Sequence, residues 1–419
     1  MTGNGGLLQL VAIGKQDIFL TGNPEITWFK MVYRRYTNFA IESQVMYFDG
    51  DPDFGKRLSC LVPRRGDLLG PMMLELTLPA LTLTDGTPVS YVNSIGHAII
   101  DEITIEIGEQ EIDTQTGEWL ELWSSMTTTS MQRDGLNDMI GRVDNYITPN
   151  NFGPIKLYIP LRFWFCKNPG QYLPLLALQY HPIRINLKLK PLQSLFYTPI
   201  LATNCNTLSV NPIKITDMKL YGDYVYLDVE ERRRFVSNTH EYLIEQIQYT
   251  PDIAIPIGAT SSTVRLEFNH PIRELLWVIQ RSIMVTNHEY FNYSSTSILE
   301  VGPRTDLLAT ALVQLDGYDR FDVRDAGYFR LVQPYYHHTA VPNNAFIYNY
   351  CFALRPEELQ PSGSLNASRI DSFVLQMTIV PDSVSGITPP RGNAVARVYA
   401  TNHNVLRIVN GFGGLLFTI

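Results

Sequence analysis

Charge is scarce in this chain. Asp, Glu, Lys and Arg supply 18% of its 419 residues, against about a quarter in ordinary globular proteins. The balance is acidic, with a formal net charge of −8. A protein that grips nucleic acid needs a basic face to displace counterions from phosphates. The densest basic run, Arg232-Arg233-Arg234, directly follows Glu230 and Glu231. Such a mixture reads as a solvated or salt-bridged face, so direct nucleic-acid binding is not expected. Cysteine is also sparse. Cys60, Cys166, Cys205 and Cys351 stand far apart with no CxxC pair, which argues against a zinc ribbon or a thioredoxin-type site. Reduced thiols and folding in the cytoplasm are expected. No uncharged apolar run approaches the roughly 20 residues that span a bilayer. The short apolar stretch Leu7 to Ile13 has no basic residues before it, so a signal peptide is not expected either.

The chemistry-bearing motifs fail on inspection. Gly50 to Lys56 (GDPDFGK) has phosphate-loop spacing, but Arg57 stands where Ser or Thr should ligate magnesium. Asp49, Asp51 and Asp53 would repel a polyphosphate. The same aspartates suggest a calcium loop, yet its sixth position is Phe54 and its twelfth Cys60. His240-Glu241 and His288-Glu289 begin like zinc-protease helices, but Ile244 and Asn292 replace the second histidine. His337 and His338 are adjacent, and in a strand they would point to opposite faces. No GxSxG elbow exists. The expectation is therefore no catalytic residues, no cofactor and no metal site. Asn292-Tyr293-Ser294 and Asn366-Ala367-Ser368 are formal glycosylation sequons, and Asn292 and Asn366 stand as candidate acceptors.

What the chain does have is apolar and aromatic. Hydrophobic residues reach 45%, with 23 Tyr and 19 Phe, a composition that favours strands. Period-2 alternation recurs. Ile103, Ile105 and Ile107 alternate with polar neighbours, as do Ile185, Leu187 and Leu189, then Val264, Leu266 and Phe268, then Phe373, Leu375, Met377 and Ile379. Turn-forming clusters separate the strands: Asp85-Gly86-Thr87-Pro88, Asn168-Pro169-Gly170 and Pro361-Ser362-Gly363. Helical patterning is confined to Glu118 to Met126 and Asp228 to Phe235. Strands without αβ alternation predict an all-β sandwich or jelly roll. One eight-stranded roll does not absorb 419 residues, whereas two do. The best boundary lies near Asn211 to Tyr221, between the Thr203 to Asn206 stretch and Asp223 to Phe235, although the halves show no evident sequence repeat.

Several long segments resemble, in order, the major capsid proteins of nucleocytoplasmic large DNA viruses, a group that includes iridoviruses, phycodnaviruses and marseilleviruses. The first is Lys15 to Ala40 (KQDIFLTGNPEITWFKMVYRRYTNFA). Arg65 to Leu68, Gly117 to Trp123 (GEWLELW) and Pro160 to Leu187 follow. Gly222 to Gln246 and Leu266 to Gln280 continue the match, then Gln333 to His338 (QPYYHH) and Phe352 to Asp371 (FALRPEELQPSGSLNASRID). Tyr399 to Gly414 closes it. The resemblance implies an all-β protein of two consecutive eight-stranded antiparallel jelly rolls with short helices in loops. The expected layout is an N-terminal arm over 1–25, a first roll over 26–213 and a second over 214–419.

It also implies a homotrimer, a pseudo-hexagonal capsomer that tiles an icosahedral shell in the virion. Neighbouring capsomers, minor capsid proteins and proximity to an internal membrane are the implied partners, and assembly would take place at cytoplasmic virus factories. Ser282 to Leu308 looks shorter than in some relatives, implying a low external tower. Phe417-Thr418-Ile419 departs from the family ending. The apolar stripe Leu7, Leu8, Leu10, Val11 and Ile13 is the candidate assembly arm. The alternatives are a minor capsid paralogue or scaffold of the same fold, and a β-sandwich carbohydrate-binding protein.

Overall fold

The computed structural model describes residues 5–81, 89–143, 154–197, 213–300, 302–381 and 392–418. The chain forms two compact units, Met1–Asn38 and Phe39–Ile419. The Thr203 to Asn206 stretch that precedes the expected boundary, the turn at Asp85 and Cys205 lie outside the described residues. In the first unit, Gly5–Val11 (α1) and Lys15–Thr21 (α2) are short helices with no buried residues.

The second unit begins with eight principal strands: β1 (Phe39–Met46), β2 (Arg57–Leu61), β3 (Leu68–Leu78), β4 (Ile100–Ile107), β5 (Gln110–Thr116), β6 (Ile155–Pro160), β7 (Ile183–Leu189) and β8 (Asp217–Leu227). They pair antiparallel in two sheets, ordered β1-β8-β3-β6 and β2-β7-β4-β5. Eight more follow: β9 (His240–Tyr249), β10 (Ser261–Arg265), β11 (Pro271–Arg281), β12 (Leu308–Leu315), β13 (Tyr318–Asp319), β14 (Tyr348–Cys351), β15 (Phe373–Ile379) and β16 (Ala394–Val409). Their sheets run β9-β16-β11-β14 and β10-β15-β12-β13. Subtracting eight from each label reproduces the first pair of sheets. The chain is therefore two jelly rolls of one topology in tandem, with no sequence repeat to announce it.

The alternation places the cores. Ile183, Ile185, Leu187 and Leu189 of β7 are buried, while Arg184 and Lys188 face out. Phe373, Leu375, Met377 and Ile379 of β15 do the same in the second roll. Each roll has its own apolar cluster between its two sheets, as face-to-face sheet packing requires.

The division between rolls differs from the expected 213/214. β8 pairs with β1 and β3, so by strand pairing it belongs with the first roll's sheets. Helix Val229–Ser237 (α5, the helices Gly117–Thr127, α3, and Ser130–Ile140, α4, preceding it) then leads into β9. Asp228 caps α5, and Glu230 and Glu231 occupy its first turn, which suits the positive end of the helix dipole.

The rolls are also stitched at the far end. Asn410 and Gly411, both at positive φ, turn β16 back into β17 (Phe412–Leu415), the backbone that an Asn-Gly hairpin favours. This hairpin enters the first roll. Leu406 and Ile408 join the first core, Tyr180 N donates to Gly411 O, and His181 Nδ1 lies 2.8 Å from Gly413 O. A Cβ on Gly413 would meet the Leu178 methyl at 2.5 Å, so the hairpin packs closely on the first roll there.

Candidate assembly surfaces and the joint between the rolls

Helix α3 is built for a joint. Thr116 caps it by accepting from Trp119 N. Trp119, Leu122, Trp123 and Met126 recur at i, i+3, i+4 and i+7 and form one stripe. That stripe packs on Leu276, Val278, Tyr293, Phe346, Ile347 and Tyr399 of the second roll. Trp119 stacks on Trp123 with ring centroids 5.4 Å apart. The polar positions of α3 hold it to both sides. Buried Glu121 binds first-roll groups: His97 Nδ1 at 2.6 Å, Arg142 Nη1 at 3.0 Å and Ser94 Oγ at 3.2 Å. Burial alone would raise its pKa, but the His97 contact and Arg142 prevail and lower it.

Glu118 reaches the other way. Its carboxylate sits 2.7 Å from Arg397 Nε and 2.9 Å from Nη2, and accepts from the Tyr293 and Tyr399 hydroxyls. The Nη2 contact is a charge-assisted hydrogen bond and the Nε contact a close charge pair, and in a poorly solvated seam such a pairing is strong. Two more charges cross the joint. Glu245 on β9 pairs with first-roll Lys167, and with Arg273 Nη1 at 2.8 Å. Asp113 on β5 accepts from Ile247 N at 3.0 Å and from Gln115 Nε2 at 2.8 Å. Burial pushes Asp113 up to about 6 despite those hydrogen bonds.

The side chains of Leu7, Leu8, Leu10 and Val11 on α1, and of Ile13 after it, are all exposed. The same unit exposes Trp28, Phe29, Met31 and Tyr33. On the second roll Tyr335, Tyr336 and Leu354 are each more than 70% exposed. Large apolar side chains left exposed in such numbers are candidates for contact with another molecule. Asn366 is exposed. Asn292 is half-buried, and its Nδ2 donates to Glu289 Oε2 at 2.6 Å and Thr296 O at 3.1 Å, so the nitrogen that a glycan would need points inward. Within the DPD loop, Asp53 Oδ1 accepts from Phe54 N, as in a turn. Among the described residues, one set of three metal-type donors comes together: Glu274, His338 and Cys351, with ligand atoms within 4.8 Å of one another.

The joint was not found in the sequence. Glu118 and Arg397 are 279 residues apart, and nothing local links them. The signal available was the apolar spacing in EWLELWSSM, which demands a partner that a lone helix lacks.

Two family models match in succession: major capsid protein N-terminus over residues 27–228, and large eukaryotic DNA virus major capsid protein over 231–414. The major capsid protein of Pyramimonas orientalis virus is 38% identical over 439 aligned residues, covering 99% of each chain. That of Phaeocystis pouchetii virus is 36% identical, again over 99% of each. Among solved structures, a chain of the PBCV-1 virus capsid superposes with a TM-score of 0.80 at 32% identity, over 94% of this chain and all of that one. The Faustovirus major capsid protein shares the fold at a TM-score of 0.77 and 12% identity, over 95% and 94% of the two chains. With the tandem rolls, the joint that locks them and these full-length likenesses together, the chain belongs to the family of large eukaryotic DNA virus major capsid proteins.

Proposed function

We propose that this chain is the shell-forming protein of a large DNA virus, that three copies close into a pseudo-hexagonal capsomer, and that it catalyses nothing. The carrying observation is the repeated strand order. Two like rolls per chain give six like bodies around a threefold axis, an outline that tiles an icosahedral face. The α3 joint supports this, because a capsomer needs rolls that do not swing against each other. The rolls divide at about α5, which matches the boundary between the two family models.

Exposed Tyr335, Tyr336 and Leu354 offer apolar surface for a second copy, and aromatic residues are enriched at such interfaces. Contacts between neighbouring capsomers can each be weak, since a closed shell sums many of them. The arm bearing Leu7, Leu8, Leu10, Val11 and Ile13 engages minor capsid proteins or the membrane side of the shell. No direct contact with nucleic acid is part of this reading. Of the two sequons, Asn366 is the acceptor with an accessible side chain.

Light scattering on the purified chain tests the proposal. The expected mass is about three times 47.7 kDa. A monomer that stays monomeric across working concentrations would refute it.

A further inference from the structure

On the face of the second roll that meets α3, Glu274 Oε2, His338 Nε2 and Cys351 Sγ converge. Glu274 comes from β11, Cys351 from the paired β14, and His338 from the end of helix Gln333–His337. Oε2 lies 2.9 Å from Nε2, and Sγ lies 3.9 Å from each. Tetrahedral zinc, with bonds of about 2.0–2.3 Å to O, N and S, needs edges of roughly 3.2–3.6 Å between such atoms. Shifts of a few tenths of an ångström admit the ion.

Polar atoms crowd Nε2. Glu274 Oε2 and Cys351 Sγ face it, and Asn349 Nδ2 lies 3.2 Å away while donating to Glu274 Oε2 at 3.1 Å. Asn349 Oδ1 accepts from Cys351 Sγ at 3.0 Å. An ion at the centre would take the Nε2 lone pair, the thiolate and the Oε2 charge together.

The outer contacts are those of a metal site. His338 Nδ1 is held by Glu357 Oε1 at 2.9 Å, the carboxylate–histidine arrangement that orients a ligating imidazole. Thr401 Oγ1 donates to Glu274 Oε1 at 3.1 Å, so Oε2 is the carboxylate oxygen that faces Nε2 and Sγ. Mixed S, N and O donors suit zinc and exclude magnesium and calcium.

We propose that Glu274, His338 and Cys351 bind one zinc ion per chain, with a water beside Asn349 as fourth ligand. This departs from the expectation of no metal site. Entry of the ion displaces the thiol proton and the Nε2 proton to solvent. It fastens the 333–338 segment to β11 and β14 beneath Trp123, whose ring meets His338 edge-on at 6.1 Å.

The test loads the full-length, assembled protein with cobalt(II) after chelator treatment. The expected spectrum has tetrahedral cobalt bands and a thiolate-to-cobalt charge-transfer band that saturate at one ion per chain. Cys351→Ser removes the charge-transfer band, and Glu357→Gln, which leaves all three ligands in place, weakens binding by about 10- to 100-fold. Should Cys351→Ser not fold, zinc protection of Cys351 against alkylation in the unmutated protein, read by peptide mass, replaces it. Overturning results are an absence of saturable tetrahedral bands, an unchanged charge-transfer band in Cys351→Ser, or alkylation of Cys351 at the same rate with and without zinc.

Discussion

Glu245 and Asp113 face the same joint with opposite electrostatic consequences. Burial alone would raise Glu245, but Lys167 and Arg273 outweigh it and bring the carboxyl down to about 2 from 4.5. The folded value is below the unfolded one, so the stabilisation is full above about pH 4.5 and is lost as pH falls toward 2. Its size is on the order of 3 kcal/mol. Glu245→Gln is expected to lower stability at pH 7 and to flatten the acid limb between those values, as read by urea unfolding across a pH series. Asp113, pushed up to about 6 from 3.8, works the other way. Its favourable contribution is full below 3.8 and is lost as pH rises through 6. Asp113→Asn keeps an acceptor for Ile247 N and removes the charge that burial penalises. The variant is expected to exceed the parent in stability at pH 7.5 by about 2 kcal/mol, with the gap closing below pH 4. None of these pairings was legible in the sequence. Those that cross the joint connect residues far apart in the chain, and alternation reports which face is buried without saying what a charge will meet.

Single elements were more readable than pairs. The helix expected over Glu118 to Met126 runs Gly117–Thr127, and that over Asp228 to Phe235 runs Val229–Ser237. The four quoted alternating segments are strands or run directly on from one. What spacing could not supply was the target of the α3 stripe, since a helix face is defined by its own residues and its partner by the whole fold. Trp123→Ala should test that contact. It opens a cavity against Leu276 and Phe346 and takes away the ring over which Lys167 Nζ sits at 4.8 Å. The expected loss is about 3–5 kcal/mol, measured by chemical denaturation, with faster proteolysis between the rolls. A change under 1 kcal/mol would mean that α3 bears no load. The Asn410-Gly411 turn was a strong hairpin signal that went unused. Its importance lies in where the hairpin goes, into the first roll, and no local pattern carries that.

At the scale of the molecule, family resemblance implied two rolls and the strand order displays them, while residue identity hides the repetition. A jelly roll is specified by where apolar faces and turns fall, and many sequences of suitable volume satisfy that. The junction shows the same limit. Composition points to a division near Asn211 to Tyr221, and the strand that begins there pairs with β1 and β3. The arm is the other whole-molecule question. Removing residues 1–14 deletes α1 with its exposed apolar side chains and leaves every strand intact. Trimers are expected to form at normal yield while complete shells fail to accumulate, as counted by electron microscopy. Full shells from the shortened chain would remove the arm from assembly.

β16 has a mechanical consequence. Sixteen residues of extended chain reach about 50 Å. One end is hydrogen-bonded through the second roll, and the other is anchored in the first core. If a tug that separates the rolls loads this beam lengthwise, its ladder has to slide as a whole instead of unzipping bond by bond. In single-molecule pulling, both rolls should give way in one rupture event. A capsomer so made would transmit the push of packaged genome outward to its neighbours without yielding at its own waist.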